Sequence, residues 1–201
     1  MTSLREEKKR ATRQAMADAA ARLVLDGGTE AATVSGITAT VGVSPRTFHN
    51  YFSSVADALL YFTADVLESF AADIPTACPG ESISGLLEGA LIESLGDEEK
   101  ELRSLHTLYR IGEALDNLSH TAEERKRFER VSATIIAAFQ KRGTDYSDYE
   151  LSVILHACAG GSLAFRQELD RRQAAGESIS LADKKKLAKT TFPSCAPSTR
   201  R

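Results

Sequence analysis

The residues Val41-Gly42-Val43-Ser44-Pro45-Arg46 constrain this chain most, because they end one helix and begin another within a three-residue turn. Gly42 is the residue type that enters the left-handed region without a Cβ penalty, so it stops the helix before it. Ser44 offers an oxygen at the N-cap, and Pro45 takes the first helical position, where a missing N–H costs nothing. Upstream, Thr33 is the expected N-cap of a short helix carrying Val34, Ile37 and Val41 on one face. Downstream, Phe48, Tyr51 and Phe52 give the second helix an apolar side, while Arg46, Thr47, His49 and Asn50 crowd the other. Two short helices about such a turn form a helix-turn-helix, which seats its second helix in the major groove of DNA.

The rest of the chain reads as helix with no convincing strand alternation, so the fold class is all-α. A first helix over Leu4–Leu25 stops at Asp26-Gly27-Gly28. A fourth begins near Ser54, whose side chain pairs with Asp57 in a capping-box-like arrangement, and ends at Pro75–Gly80. Further helices are expected over Ile83–Leu95 and Asp97–Leu118. Capping boxes at Thr121–Glu124 and Ser147–Glu150 open the next two, closed by Arg142-Gly143 and near Ala175, and a last helix covers Leu181–Thr190. Residues 193–201 read as a disordered tail.

Several function classes fall away on composition and motif. No apolar stretch approaches the ~20 residues of a membrane span, and the charged amino terminus has no signal-peptide core, so a cytoplasmic location is expected. Cys78, Cys158 and Cys195 are widely spaced with no Cys-x-x-Cys pair, which argues against structural zinc and a disulfide framework. Cys158 reads as a small core residue. His106, Glu113 and His156 lack the spacing of a metalloenzyme motif, and no glycine-rich phosphate loop or nucleophile elbow is present. The expectation is a protein that is not an enzyme and needs no metal or cofactor. The net charge is −3, yet residues 1–13 set five basic residues against two acidic ones. That arm either holds phosphates or is a solvated, frayed terminus.

Taken together, several segments resemble the TetR family of bacterial transcriptional regulators: the alanine-rich first helix, Asp26-Gly27-Gly28, Ala32-Thr33-Val34, Gly42 to Phe48, Asn50-Tyr51-Phe52 and Asp57 to Leu60. The resemblance implies a homodimer with a three-helix DNA head over 1–53 and a helical effector-binding and dimerisation module over 54–192. It implies that Thr33 and Ser35 touch phosphates or the groove edge, that Arg46, Thr47, His49 and Asn50 face bases of a palindromic operator, and that Tyr51 reaches a phosphate. The residue chemistry agrees, since Arg46 can pair bidentately with guanine and Asn50 with adenine. The sequence departs from the family pattern at Val55, where a phosphate-clamping lysine is usual, at Ala56, where an acidic residue is usual, and at Thr38, where alanine is usual.

In the second half, the Ser147 helix carries Leu151, Ile154, Leu155, Cys158, Gly161 and Phe165, expected to pack against a second copy; the competing reading is a contact inside one chain. Phe62, Leu87, Leu91, Ile135 and Phe139, with the polar groups of His106, Tyr109, Arg110 and Glu113, are expected to line a site for a small, mostly apolar molecule. Such a molecule would release a repressor from DNA. The alternatives are that these side chains are ordinary core, and that the protein is a ligand-independent DNA-binding regulator or scaffold.

Overall fold

A computed structural model describes residues 4–74, 82–118 and 121–192. The Pro75–Gly80 helix stop, Cys78, the tail 193–201 and Cys195 lie outside the described residues. The helices are α1 (Leu4–Gly27), α2 (Val34–Val41), α3 (Pro45–His49), α4 (Val55–Asp73), α5 (Ile83–Ser94), α6 (Glu98–Leu102), α7 (Leu105–Leu118), α8 (Ala122–Lys141), α9 (Asp148–Ala174) and α10 (Leu181–Thr191), with a 3₁₀ turn at Thr29–Ala31. No strand occurs among the described residues, and none of their helices is long and apolar enough to cross a membrane.

The expected caps form. Ser147 Oγ accepts the Glu150 N–H at 3.3 Å while the Glu150 carboxylate accepts the Ser147 N–H at 2.9 Å, closing the box that starts α9. At α8 the Thr121 hydroxyl and the Glu124 carboxylate do the same at 3.1 Å in both directions. At α4 the exchange is displaced by one residue. Ser54 Oγ accepts the Asp57 N–H at 3.0 Å, but the Asp57 carboxylate accepts the N–H of Ser53, also at 3.0 Å.

The chain divides into two compact units, 1–69 with 110–134 and 70–109 with 135–201. In the first, α1 packs on α2 and α2 on α3. Ala17, Ala20 and Ala21 of α1 and Ala58 of α4 are fully buried, as are Ile37, Phe48, Leu59 and Leu60. Polar contacts tie the later segment to the earlier one. Arg110 of α7 donates to the carbonyls of Leu25 and Val24 at 2.9 and 3.2 Å. Arg127 of α8 pairs with Asp57, and the Ser54 hydroxyl donates to Glu124 at 3.2 Å.

In the second unit, α5 packs on α6, α9 and α10, and α9 packs on α10. One expectation needs correction. The helix expected over Asp97–Leu118 is broken at Arg103-Ser104 into α6 and α7. Ser104 acts as a new helix start: its carbonyl accepts the Leu108 N–H at 3.0 Å, and the Thr107 hydroxyl reaches back to the Glu101 carbonyl at 3.0 Å. On α9 the single chain already covers several of the residues expected to pack against a second copy. Leu151, Cys158 and Phe165 are already buried within the single chain, and a Cβ on Gly161 would meet the Thr191 carbonyl oxygen of α10 at 3.1 Å. Leu151, Cys158 and Phe165 lie in the chain's own core, and half-buried Gly161 is packed against α10. Ile154 and Leu155 are half-buried. The outward face of α9 instead carries Tyr149, Val153, Ala157 and Ala164, and a Cβ on Gly160 would meet nothing.

Candidate nucleic-acid interface

The turn between α2 and α3 is built as its residues dictate. Thr33 Oγ accepts the Gly36 N–H at 3.0 Å and opens α2. Gly42 takes φ 72°, and the Val43 N–H then closes on the Thr38 carbonyl at 3.0 Å. Ser44 Oγ accepts the Thr47 N–H at 3.1 Å and shares a hydrogen bond with the Thr47 hydroxyl at 2.9 Å. Thr38, a departure from the family pattern, is buried and donates its hydroxyl to the Ser35 carbonyl at 3.1 Å, which disposes of its polar atom locally.

An aromatic ladder fixes α3 from beneath. Phe48 is fully buried, its ring 5.6 Å from that of Phe52, which lies 5.7 Å from Tyr61. The Arg13 guanidinium stacks on the far end, 4.3 Å from the Tyr61 centroid and 5.2 Å from that of Phe52. Its Nε is buried without a hydrogen-bond partner among the described residues, so the π faces are its compensation.

With Phe48 held inward, the opposite side of α3 is presented outward. Arg46, His49 and Asn50 are exposed, and Thr47 and Tyr51 are half-buried. The side chains of Arg46 and Asn50 form no hydrogen bond with any described residue, so their donors and acceptors are available to a partner. Thr33 and Ser35 are exposed at the start of α2. Thr33 keeps a hydroxyl proton to donate, since its oxygen serves only as acceptor in the cap.

The structure sorts the basic arm by helical register. Arg5, Lys8, Lys9 and Thr12, together with Glu6, form one wall of an open groove of about 440 Å³ whose other wall is Thr47, Asn50 and Tyr51. The signal available in the sequence was the spacing of 5, 8, 9 and 12, which is one face of a helix.

The residues expected to bind an effector are placed as follows. Phe62, Leu87, Leu91, Ile135 and Phe139 are buried, and Tyr109 is half-buried. His106 is buried with Nδ1 2.7 Å from the Ser104 hydroxyl. Glu113 is exposed, and Arg110 is spent on the end of α1. Within the second unit this leaves Leu87, Leu91, Tyr109, Ile135 and Phe139 with His106 as a buried polar group.

Comparison with known proteins places the turn in context. Residues 17–60 match the profile of the bacterial regulatory proteins, tetR family. The chain is similar to the HTH-type transcriptional regulator BetI of Rhizobium meliloti (strain 1021), 39% identical over 80 residues. That match covers 37% of this chain and 39% of the relative, so the likeness spans about two-fifths of the relative's length. The fold is similar to the crystal structure of a TetR family transcription regulator from Marinobacter aquaeolei VT8, with a TM-score of 0.57, 17% identity, and coverage of 93% of this chain and 96% of that one.

Proposed function

We propose that the chain is a sequence-specific DNA-binding transcriptional regulator of the TetR family, a reading supported by the match of residues 17–60 to that family's profile. The observation that carries this reading is the outward row of α3: Arg46 and Asn50, whose side chains bond to no described residue, beside exposed His49, on a capped helix whose other side is buried. Arginine and asparagine there supply the two bidentate pairings by which major-groove edges of guanine and adenine are read.

In this reading, residues 1–53 are the DNA head and residues 54–192 the effector and dimerisation module. A homodimer sets two copies of α3 into successive major grooves, ~34–36 Å apart, over a palindromic operator. The outward face of α9, with Tyr149 and Val153 78% and 50% exposed, is the surface offered to the second copy. A small, mostly apolar molecule beside Leu87, Leu91, Tyr109, Ile135 and Phe139, with His106 as its polar contact, favours a conformation in which the two α3 helices are differently spaced. That differential affinity releases the operator, which makes the protein a repressor.

The test is Arg46→Ala and Asn50→Ala on a selected operator and on random duplex. Each substitution is expected to cost ~1–3 kcal/mol per half-site on the operator, with relaxed preference at one base position. Equal losses on both DNAs would rule out base reading by these side chains.

A further inference from the structure

The α1 wall of the groove beside α3 has no role in the base reading proposed above. We propose that Arg5, Lys8 and Lys9 of α1, with Tyr51, form a seat for one backbone phosphate of the bound duplex. This inference rests on the DNA-binding reading and deepens it.

Three observations support the seat. The first is register. Positions 5, 8, 9 and 12 recur at helical spacing, so within Leu4–Gly27 they share one face. The neighbouring cations do not share it: Arg13 is turned onto Tyr61 and Phe52, and Arg10 is absent from the groove wall. The amino-terminal charge is therefore sorted by the helix into one stripe beside α3.

The second is electrostatic. The wall sets three cations against the single carboxylate of Glu6, in a chain whose net charge is −3. Arg5 and Lys9 stand four residues apart, a like-charge spacing that destabilises a helix. An anion in the groove would relieve that repulsion.

The third is the opposite wall. Thr47, Asn50 and Tyr51 come from the base-reading helix and the turn after it. The Tyr51 hydroxyl bonds to no described residue, so it can donate to a phosphate oxygen. Thr12 acts only as wall, because its hydroxyl already donates to the Lys8 carbonyl at 2.9 Å. A helix lying in the major groove is flanked by phosphates, and a volume of about 440 Å³ holds a phosphate with ordered water.

A phosphate seat positions the protein without reading sequence, so its loss has a signature distinct from that of Arg46. The experiment measures binding of the full chain to a selected operator and to random duplex between 50 and 300 mM salt. The variants are Lys8→Gln/Lys9→Gln, Lys8→Arg/Lys9→Arg, single Lys8→Gln and single Arg10→Gln. Lys8, Lys9 and Arg10 are exposed, and circular dichroism checks that α1 is retained.

The glutamine pair is expected to weaken binding to both DNAs by ~5–30-fold per subunit near 0.15 M salt and to flatten the log–log salt slope by ~1 per subunit. Base preference should stay as in the wild type, and the arginine pair should restore affinity and slope. Arg10→Gln should move either quantity less than Lys8→Gln does. An unchanged slope in the glutamine pair, failure of the arginine pair to restore it, or equal effects of Arg10→Gln and Lys8→Gln would overturn the seat while leaving base reading intact. If the wild-type protein binds no duplex at all, the DNA-binding reading fails first and the seat falls with it.

Discussion

Arg110→Met removes a cation that the structure uses to finish a helix 85 residues away. The last turn of α1 contains no basic residue. Arg110 supplies one from α7, donating to the Leu25 carbonyl at 2.9 Å and to the Val24 carbonyl at 3.2 Å. Val24 also receives the Gly28 N–H at 2.9 Å, so the loss concentrates at Leu25. Hydrogen bonds from a charged donor contribute ~1.5–3 kcal/mol each. The second bond here is at the long end of the usual range, and the half-exposed guanidinium is partly screened by water. A cation at a helix C-terminus adds ~0.3–1 kcal/mol. The methionine variant, which keeps the apolar stem, should therefore lose ~2–3 kcal/mol. Arg110→Lys should lose about half as much, since it keeps the charge without the planar fork. Denaturant unfolding with matched slopes measures this, and hydrogen exchange at Gly28 should report the same opening. A methionine variant within ~0.5 kcal/mol of wild type would refute the helix-end role. Unchanged stability with an altered effector response would instead return Arg110 to the ligand site expected from sequence.

Other perturbations test the packing that holds the site. The Asp57–Arg127 pair has side chains 15% and 39% exposed, and a double-mutant cycle with Asp57→Asn and Arg127→Met should give a coupling of ~1 kcal/mol; a value near zero would show that the two ends of that contact are independent. Ser44→Ala should cost ~1 kcal/mol and weaken duplex binding, because α3 has five residues and its N-cap holds Thr47 in place; undiminished binding would mean α3 is held by Phe48 alone. Gly161→Val should cost ~1–3 kcal/mol by driving a methyl into Thr191, whereas Gly160→Ala, which opens on nothing within the chain, should gain ~0.5–1 kcal/mol of helix propensity. Identical effects at the two glycines would contradict the register of α9 against α10.

Local chemistry made the motif legible and distance in sequence hid the rest. Thr33, Gly42, Ser44 and Pro45 each act within four residues of their own position, so the turn and both of its caps follow from residue type. The same holds for the boxes at Thr121 and Ser147. Arg110, Arg127 and Arg13 act across the fold, and nothing in their neighbourhoods distinguishes a helix-end donor or a π-stacked cation from a surface charge. Ser104 was missed because its flanks keep helical periodicity, although a serine just before Leu105 is the residue type that restarts a helix. On α9 the small and apolar residues run around the whole helix, so composition alone did not separate the face used by α10 from the face left outward.

Selection of duplex DNA from a random library by the purified full chain, at physiological salt and followed by sequencing, tests the regulator most directly. The account predicts one palindromic site whose half-sites are centred about one helical turn, ~34–36 Å, apart or a multiple of it, with preferences that Arg46→Ala and Asn50→Ala relax. Recovery of duplexes with no shared sequence would contradict it, since the outward row of α3 would then meet DNA without reading it.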